Sequence, residues 1–314
     1  MAKRDLLSID DLTRSEAELI LETAESFLPV LQRDIKKVPT LRGRTIINMF
    51  YESSTRTLTS FELAAKRLSA DTINVRASGS AVDKGESLKD TILTLSAYQP
   101  DIIVMRHPQI GACRLASRYT KASMVNAGDG KFQHPSQCLL DLFAMRQALG
   151  RDLDGLKVWI VGDILHSRVA RSDIAGFQLL GLDVTVAGQP SLIPRDAEAL
   201  GVKVEYTLDR LREADVIYLL RMQVERMQEG ANFIASLREY SALYGMTLAR
   251  LRPGQKVMHP GPINRGIEIS PAIADHPDTL ILEQVESGLA VRMAILYRTV
   301  AGYDERPAHE RGAA

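Results

Sequence analysis

Short runs of β-branched and aromatic residues alternate along the chain with segments whose apolar positions recur at helical spacing. The first run, Thr45-Ile46-Ile47-Asn48-Met49-Phe50-Tyr51, suits a buried strand. Directly after it Phe61, Ala64, Ala65 and Leu68 fall three and four residues apart, so a helix is expected to begin near Ser54-Thr55. Strands follow over Thr72-Ile73-Asn74-Val75, Asp101-Ile102-Ile103-Val104-Met105, and Met124-Val125 with the residues just before them, ending at Asn126. Helical patterns run through Leu88, Ile92, Leu93 and Leu95, and again through Leu139, Leu140, Leu142, Phe143 and Met145. A second series comprises Val158-Trp159-Ile160-Val161, Val184-Thr185-Val186, Val202–Val204, Val216-Ile217-Tyr218-Leu219 and Lys256-Val257-Met258. At the start, a capping box at Thr13/Glu16 or Ser15/Glu18 introduces an amphipathic helix with Ala17, Ile20, Leu21, Ala24, Phe27 and Leu31 on one face. At the far end Val285, Leu289, Met293, Leu296 and Val300 mark another. Between Met222 and Met246 the periodicity is patchy, as expected of a lid or binding loop.

Strand, polar junction, helix, strand is the βαβ rhythm of a parallel sheet. The expected fold is α/β with two doubly wound parallel-sheet domains. The composition turns polar around Gly150–Leu156, which divides the chain into residues 1–149 and 150–284. The last helix, about residues 285–303, is expected to return across that boundary to the first domain. In such folds ligands bind outside the carboxyl ends of the strands, so the chemistry is sought at those junctions.

Composition narrows the classes of ligand. Of 314 residues, 39 are Lys or Arg and 39 Asp or Glu. That balance recruits neither nucleic acid nor an acidic membrane, and an anion site must be built locally. Two cysteines, Cys113 and Cys138, make no disulfide framework and fit a reducing compartment. With no apolar run long enough to span a bilayer and no signal-like start, a soluble cytoplasmic protein is expected.

The junction after the first strand carries Ser53, Ser54, Thr55, Arg56 and Thr57. Capping a helix takes one hydroxyl; four with a guanidinium among them suit an anion at the helix start, where unpaired N–H groups and the dipole point outward. Arg56 adds a planar fork that matches phosphate oxygens. The run lacks the glycines and the Gly-Lys-Ser/Thr ending of a Walker loop. Gly162 stands alone after Val161 without G-x-G-x-x-G, so no nicotinamide or flavin cofactor is expected. Other strand ends bear Arg106-His107-Pro108, Asn126-Ala127-Gly128-Asp129-Gly130, Arg168, and Arg221 to Arg226. His134 and Gln137 share the first turn of a helix that opens at Pro135. Small residues from Ala77 to Ser87 surround Lys84, as in a mobile functional loop. His259-Pro260-Gly261-Pro262 has two prolines around a glycine and is read as presenting backbone carbonyls.

In this order these elements resemble the carbamoyltransferase family over about residues 5 to 302. Ser54-Thr55-Arg56-Thr57 marks the wider family. Asn126–Gly130 with Gln133-His134-Pro135, and His259-Pro260-Gly261-Pro262, are similar to its aspartate branch. The resemblance implies transfer of the carbamoyl group of carbamoyl phosphate to L-aspartate, a committed step of pyrimidine biosynthesis. Ser54, Thr55, Arg56 and Thr57 would hold the phosphate, with Arg106 assisting. Thr57, Arg106 and His134 would donate to the carbamoyl oxygen; Gln137 and the carbonyls of Pro260 and Gly261 would accept from its amide. Lys84, Arg168, Arg221 and Gln223 would bind aspartate. Ser80 and Lys84 would reach into a neighbouring subunit's site, which implies a homotrimer, and Glu52 would pair with Arg168 and Arg226 on closure. No metal or cofactor is implied. Regulatory or dihydroorotase-like chains are possible further partners. Leu58, Ile110 and Lys131-Phe132 depart from the family pattern; Leu58 should lie on the helix away from the ligand, and the others bear on local loop conformation.

Three rival readings compete with this one, and an anion-binding module without chemistry would explain neither His134 nor the long lid. The ornithine branch carries a cysteine in a His-Cys-Leu-Pro run, whereas here the loop is His-Pro-Gly-Pro and no cysteine follows Cys138. A non-catalytic scaffold would be expected to have lost Arg56, Lys84 or His134, and all three are present.

Overall fold

Every strand pairing within the two sheets of this chain is parallel, among the described residues. The computed structural model describes residues 4–76, 85–223 and 236–302. They divide into one unit of Met1–Phe143 with Glu286–Ala314 and a second of Ala144–Val285.

The first unit opens with α1 (Arg14–Gln32), entered through the Thr13/Glu16 capping box of the two anticipated. Thr13 Oγ1 accepts from the Glu16 amide at 3.2 Å, and Glu16 Oε2 accepts from the Thr13 amide at 2.8 Å. Then come β1 (Thr45–Phe50), α2 (Thr55–Arg67), β2 (Asp71–Arg76), α3 (Leu88–Ser96), β3 (Ile102–His107), α4 (Ala112–Ala116), β4 (Ser123–Asp129) and α5 (Pro135–Leu149). Spatially the strands run β2-β1-β3-β4, so the order reverses between β1 and β3. Ile47, Met49, Ile103, Met105 and Met124 pack with Ile92, Ala112, Cys113 and Ala116 on one side of this sheet. Burial on both faces is why these strands read as continuous apolar runs rather than alternating ones. The fourth strand is longer than its Met124-Val125 signature. Asn126 is fully buried within it, and its side-chain amide donates to Leu7 O at 2.9 Å and Asp129 Oδ1 at 3.0 Å. A satisfied buried amide costs little, and periodicity alone does not reveal its partners.

The second unit carries β5 (Lys157–Val161), α6 (Arg168–Leu179), β6 (Asp183–Ala187), β7 (Lys203–Glu205), β8 (Val216–Leu219), α7 (Leu237–Tyr244), β9 (Lys256–Met258) and α8 (Pro271–Ala274). Its strand order is β7-β6-β5-β8-β9, with the reversal between β5 and β8. Trp159, Val161, Ile217, Leu219 and Val257 pack with Ile269 and Ile273. The segment anticipated as one long lid contains α7, capped by Ser236 Oγ accepting from the Glu239 amide at 3.0 Å. Its apolar stripe is only Tyr240 and Tyr244, one turn apart with ring centroids 5.5 Å from each other, too short to stand out as a period. Residues 224–235 of that segment lie outside the described residues.

The last helix, α9, spans Ile281–Ala301, and from Glu286 onward it belongs to the first unit. There Arg298 Nε donates to Thr23 Oγ1 of α1 at 2.8 Å, and Tyr297 meets Phe27 edge to face at 6.1 Å. Helix α1 is thus among the surfaces against which the apolar stripe of the last helix closes.

Candidate active site

In the first unit the strand order reverses between β1 and β3, and a cation stands at the end of each, Arg56 just after β1 and Arg106 near the end of β3. Phe50 pairs with Arg106, and the Tyr51 amide donates to Arg106 O at 2.9 Å, so the two strand ends stay aligned. Ser54 is the N-cap of α2, with φ of −155° and ψ of 81°, and its side chain makes no capping bond. The first-turn N–H groups are therefore not consumed by their own cap. Thr57 is buried, while Thr55 and Arg56 are exposed at this start. Leu58 lies one residue further along α2 and is partly buried.

Arg106 lies beside an irregularity in the sheet. Between Met105 and His107 the register with β4 slips: two steps on β3 oppose three on β4, from Asn126 to Asp129. Such a bulge bends the strand and redirects a side chain. Arg106 Nε pairs with Glu52 Oε2 at 3.2 Å, and Nη1 donates to Ala127 O, on the bulged strand, at 3.3 Å. Beside it, burial holds the His107 imidazole below the usual histidine range, against the raising effect of the Gln109 amide, Glu52 and Asp129.

Asp129 then organises the next junction. Its carboxylate accepts from the amides of Gly111 (2.9 Å) and Gln133 (3.2 Å) and from Asn126 Nδ2 (3.0 Å). The loop after β3 is thereby tied to the loop that delivers His134. Gly130 is required here: its φ is +49°, and a Cβ would come within 2.7 Å of Ile110 Cγ1 and 2.8 Å of the Ile110 amide. Ile110 itself, one of the unusual positions, packs on that glycine. His134 is buried with Nδ1 3.4 Å from Ser136 Oγ, and one turn into α5 Gln137 Nε2 donates to Asp141. Strands β1, β3 and β4 are adjacent, so at about 4.8 Å per strand their ends span roughly 10 Å. Arg56, Arg106 and His134 sit at those three neighbouring ends.

The second unit repeats the arrangement on β5, β8 and β9. Leu220 N donates to Val161 O at 2.8 Å, holding the β8 end against β5. Gly162, with φ +131°, permits this approach, because a Cβ would meet Leu220 O at 2.7 Å. Its role is close packing of two strand ends, which fits the missing dinucleotide fingerprint. Arg168 opens α6, is 2% exposed, and follows Ser167, whose Oγ accepts from the Ala170 amide at 3.1 Å. Asp163 joins the two loops: Oδ1 takes His166 N (3.1 Å) and lies 2.8 Å from His166 Nδ1, while Oδ2 takes Gln223 N (3.1 Å). Gln223 Nε2 donates to Arg221 O at 3.3 Å. After β9, Gly261 N donates to His259 Nδ1 at 2.8 Å, which leaves the ring proton on Nε2, 3.2 Å from Glu268 Oε1. That tautomer fixes the turn bearing Pro260 and Gly261, where the Gly261-Pro262 peptide is cis.

Ser80, Lys84 and Arg226 lie outside the described residues. No group of three or more His, Cys, Asp or Glu among the described residues is arranged to hold a metal ion.

Two family models match the chain: aspartate/ornithine carbamoyltransferase, carbamoyl-P binding domain, over residues 4–147, and the Asp/Orn binding domain of the same family over residues 154–299. The chain belongs to the aspartate/ornithine carbamoyltransferase family. Among its relatives in that family, the aspartate carbamoyltransferase catalytic subunit of Syntrophus aciditrophicus is 55% identical over 299 residues, covering 94% of this chain and 96% of the relative. The catalytic subunit of M. jannaschii aspartate transcarbamoylase superposes with a TM-score of 0.83 at 35% identity, covering 96% of this chain and 98% of that one. Trypanosoma cruzi aspartate transcarbamoylase, solved with carbamoyl phosphate and aspartate, gives 0.83 at 28% identity, with 94% and 97% covered. Two parallel-sheet α/β units and an α9 that joins the first are the fold of this carbamoyltransferase family.

Three aspartates of this carbamoyltransferase went unassigned at the level of sequence. Asp129 stands between two glycines at a strand end, and Asp163 follows the lone Gly162; an acid in such a tight junction is a signal for a carboxylate that gathers backbone N–H groups. Asp141, one turn after Gln137, carries no such signal.

Proposed function

We propose that the chain transfers the carbamoyl group of carbamoyl phosphate to the α-amino group of L-aspartate, giving N-carbamoyl-L-aspartate and phosphate, the committed step of de novo pyrimidine biosynthesis. The observation that carries the reading is the start of α2, where Ser54 leaves the helix N-terminus uncapped beside Arg56 and between aligned strand ends bearing Arg106. An uncapped N-terminus with hydroxyls and guanidinium groups is a phosphate site. Ser54, Thr55, Arg56 and Thr57 hold the phosphate with Arg106. Thr57, Arg106 and His134 donate to the carbamoyl oxygen, and Gln137 with the carbonyls of Pro260 and Gly261 accepts from its amide. Arg168, Arg221, Gln223 and Lys84 hold the aspartate carboxylates, for which cations suit better than they would suit ornithine.

The chemistry needs no covalent enzyme intermediate. The amine nitrogen attacks the carbamoyl carbon and gives up one proton, the bond from that carbon to the phosphate oxygen breaks, and phosphate leaves and takes up the proton. Charge builds on the carbamoyl oxygen, so catalysis is positioning plus stabilisation of that oxygen by fixed donors. Two anionic substrates need local cations on a protein with no net charge, which is the observed balance. We infer further that the enzyme works in the cytoplasm as a homotrimer, Ser80 and Lys84 completing a neighbour's site, with room for regulatory or dihydroorotase-like chains; no described helix is long and apolar enough to cross a membrane.

A coupled assay supplying carbamoyl phosphate with either L-aspartate or L-ornithine tests the reading. Carbamoyl-aspartate is the expected product; carbamoylation of ornithine alone, or of neither, contradicts it. Mass measurement of the purified protein, alone and with candidate partners, is expected to give three chains as the basic assembly.

A further inference from the structure

One turn separates Gln137 from Asp141 on α5, and the two are joined twice. Gln137 Nε2 lies 3.0 Å from Asp141 Oδ1 and 3.2 Å from Oδ2. Asp141 is 0% exposed. Both Asp141 oxygens take the NH2 end of the Gln137 amide, the end that can donate. The amide is planar; anchoring its nitrogen turns Oε1 to the opposite side.

The carboxylate has a cation in the same interior. Arg292 of α9 is buried, with its guanidinium 5.3 Å from the centre of the Phe61 ring of α2 and Nη1 donating to Gly288 O at 3.2 Å. Burial pulls its pKa down to about 10, while Asp141 works in the other direction. It remains charged at neutral pH, and the attraction between the two groups is mutual. Buried charges of this kind do little for stability compared with apolar residues of the same volume. A carboxylate kept at this position therefore points to a task other than folding.

We propose that Asp141 is a positioning residue that determines specificity: by holding the Gln137 amide with its oxygen outward, it makes the site demand an N–H donor on the acyl group, so that a carbamoyl NH2 is accepted and the nearly isosteric methyl of an acetyl group is not. The inference rests on the reading that Gln137 accepts from the carbamoyl amide. A site built around a hydrogen bond rejects analogues lacking the donor far more strongly than a purely apolar pocket can, because its own polar group is left unpaired. Acetyl phosphate is the matching probe: its transfer forms the same nitrogen–carbon bond and releases the same phosphate.

The test compares carbamoyl phosphate with acetyl phosphate as donors to L-aspartate in the full-length enzyme, in wild type, Asp141→Asn, Gln137→Ala and the double variant. Asparagine has the same shape but presents its own NH2, so the Gln137 amide loses its reason to point one way. Asp141→Asn is expected to lower kcat/KM for carbamoyl phosphate by about 10- to 100-fold and to narrow the carbamoyl-to-acetyl ratio by about as much. In the Gln137→Ala background the same substitution is expected to change the ratio by less than about twofold, since the group it acts through is gone. Should Asp141→Asn not fold, Asp141→Leu combined with Arg292→Met replaces both charges by apolar groups and is expected to narrow the ratio in the same way. Equal losses with both donors, or the same further loss without Gln137, would show a merely structural role and overturn the proposal. A wild type that carbamoylates nothing overturns the functional reading and the inference with it; an active wild type whose variants keep the ratio overturns the inference alone.

Discussion

Helices α2 and α6 start from equivalent places in the two units, yet they treat their first turns in opposite ways. Each follows the strand beside the reversal in strand order, each has a serine at its N-cap, and each carries an arginine at its start. Ser167 caps α6 by accepting from the Ala170 amide, and Arg168 is buried behind it. Ser54 makes no such bond, and Arg56 is exposed. The backbone differs as well: ψ is 114° at Ser167 and 81° at Ser54, with φ of −94° and −155°. The cap on α6 takes the Ala170 N–H, one of the first-turn donors, for the helix itself. An uncapped helix keeps such donors for an anion, and the dipole behind them favours negative charge. On the proposed reading, the first unit takes phosphate at the helix start and the second takes carboxylates on side chains.

The comparison can be broken most forcefully at His134. His134→Ala removes the proposed donor to the carbamoyl oxygen and is expected to lower kcat by about 10²- to 10³-fold while changing carbamoyl phosphate affinity by less than about tenfold. Steady-state kinetics beside a binding titration separate the two, and unchanged turnover would refute the role. Arg168→Ala in the other unit is expected to raise KM for aspartate instead, with carbamoyl phosphate binding retained.

Next in size are the two glycines that let strand ends approach. Gly130→Ala and Gly162→Ala each place a Cβ 2.7 Å from a neighbouring atom at positive φ. Each is expected to cost about 1–3 kcal/mol, read as a lower denaturant midpoint at constant m. A fully tolerated alanine at either site would mean that the junction is loosely packed.

Smaller, and aimed at the contrast itself, are the serines. Ser167→Ala deletes a working cap and should cost about 1 kcal/mol of stability. Ser54→Ala has no cap to lose and should leave stability within about 0.5 kcal/mol while weakening carbamoyl phosphate binding. Equal destabilisation by both substitutions would erase the distinction.

The mildest expected effect is on pH dependence. Burial lowers the affinity of folded His107 for a proton, so on acidification the unfolded chain binds that proton first. Stability therefore falls as pH drops through about 6.5, the ordinary histidine value, and this loss levels off once the folded imidazole is also charged. His107→Gln is expected to flatten the decline between about pH 7.5 and 5.5, as followed by chemical denaturation.

Much of the fold is legible in the chain because parallel strands buried on both faces leave unbroken apolar runs, as at Ile46-Ile47 and Ile102–Met105. The cluster from Ser54 to Thr57 is legible because its hydroxyls and arginine exceed what capping one helix requires. The absence of a cap at Ser54 is not, since Ser167, the same residue type in the equivalent place, does cap its helix. Asp129 and Asp163 act through backbone N–H groups brought from distant loops, Gly111 to one and Gln223 to the other, and no local pattern encodes such partners. Helix α7 is hidden in the sequence because two tyrosines make no period.

Titrating carbamoyl phosphate calorimetrically into wild type, Arg56→Ala and Arg168→Ala, with aspartate absent, tests the division of labour most directly. The account predicts that Arg56→Ala abolishes measurable binding and that Arg168→Ala binds as wild type does. Binding that survives at Arg56 and disappears at Arg168 would place the phosphate in the wrong unit and contradict it.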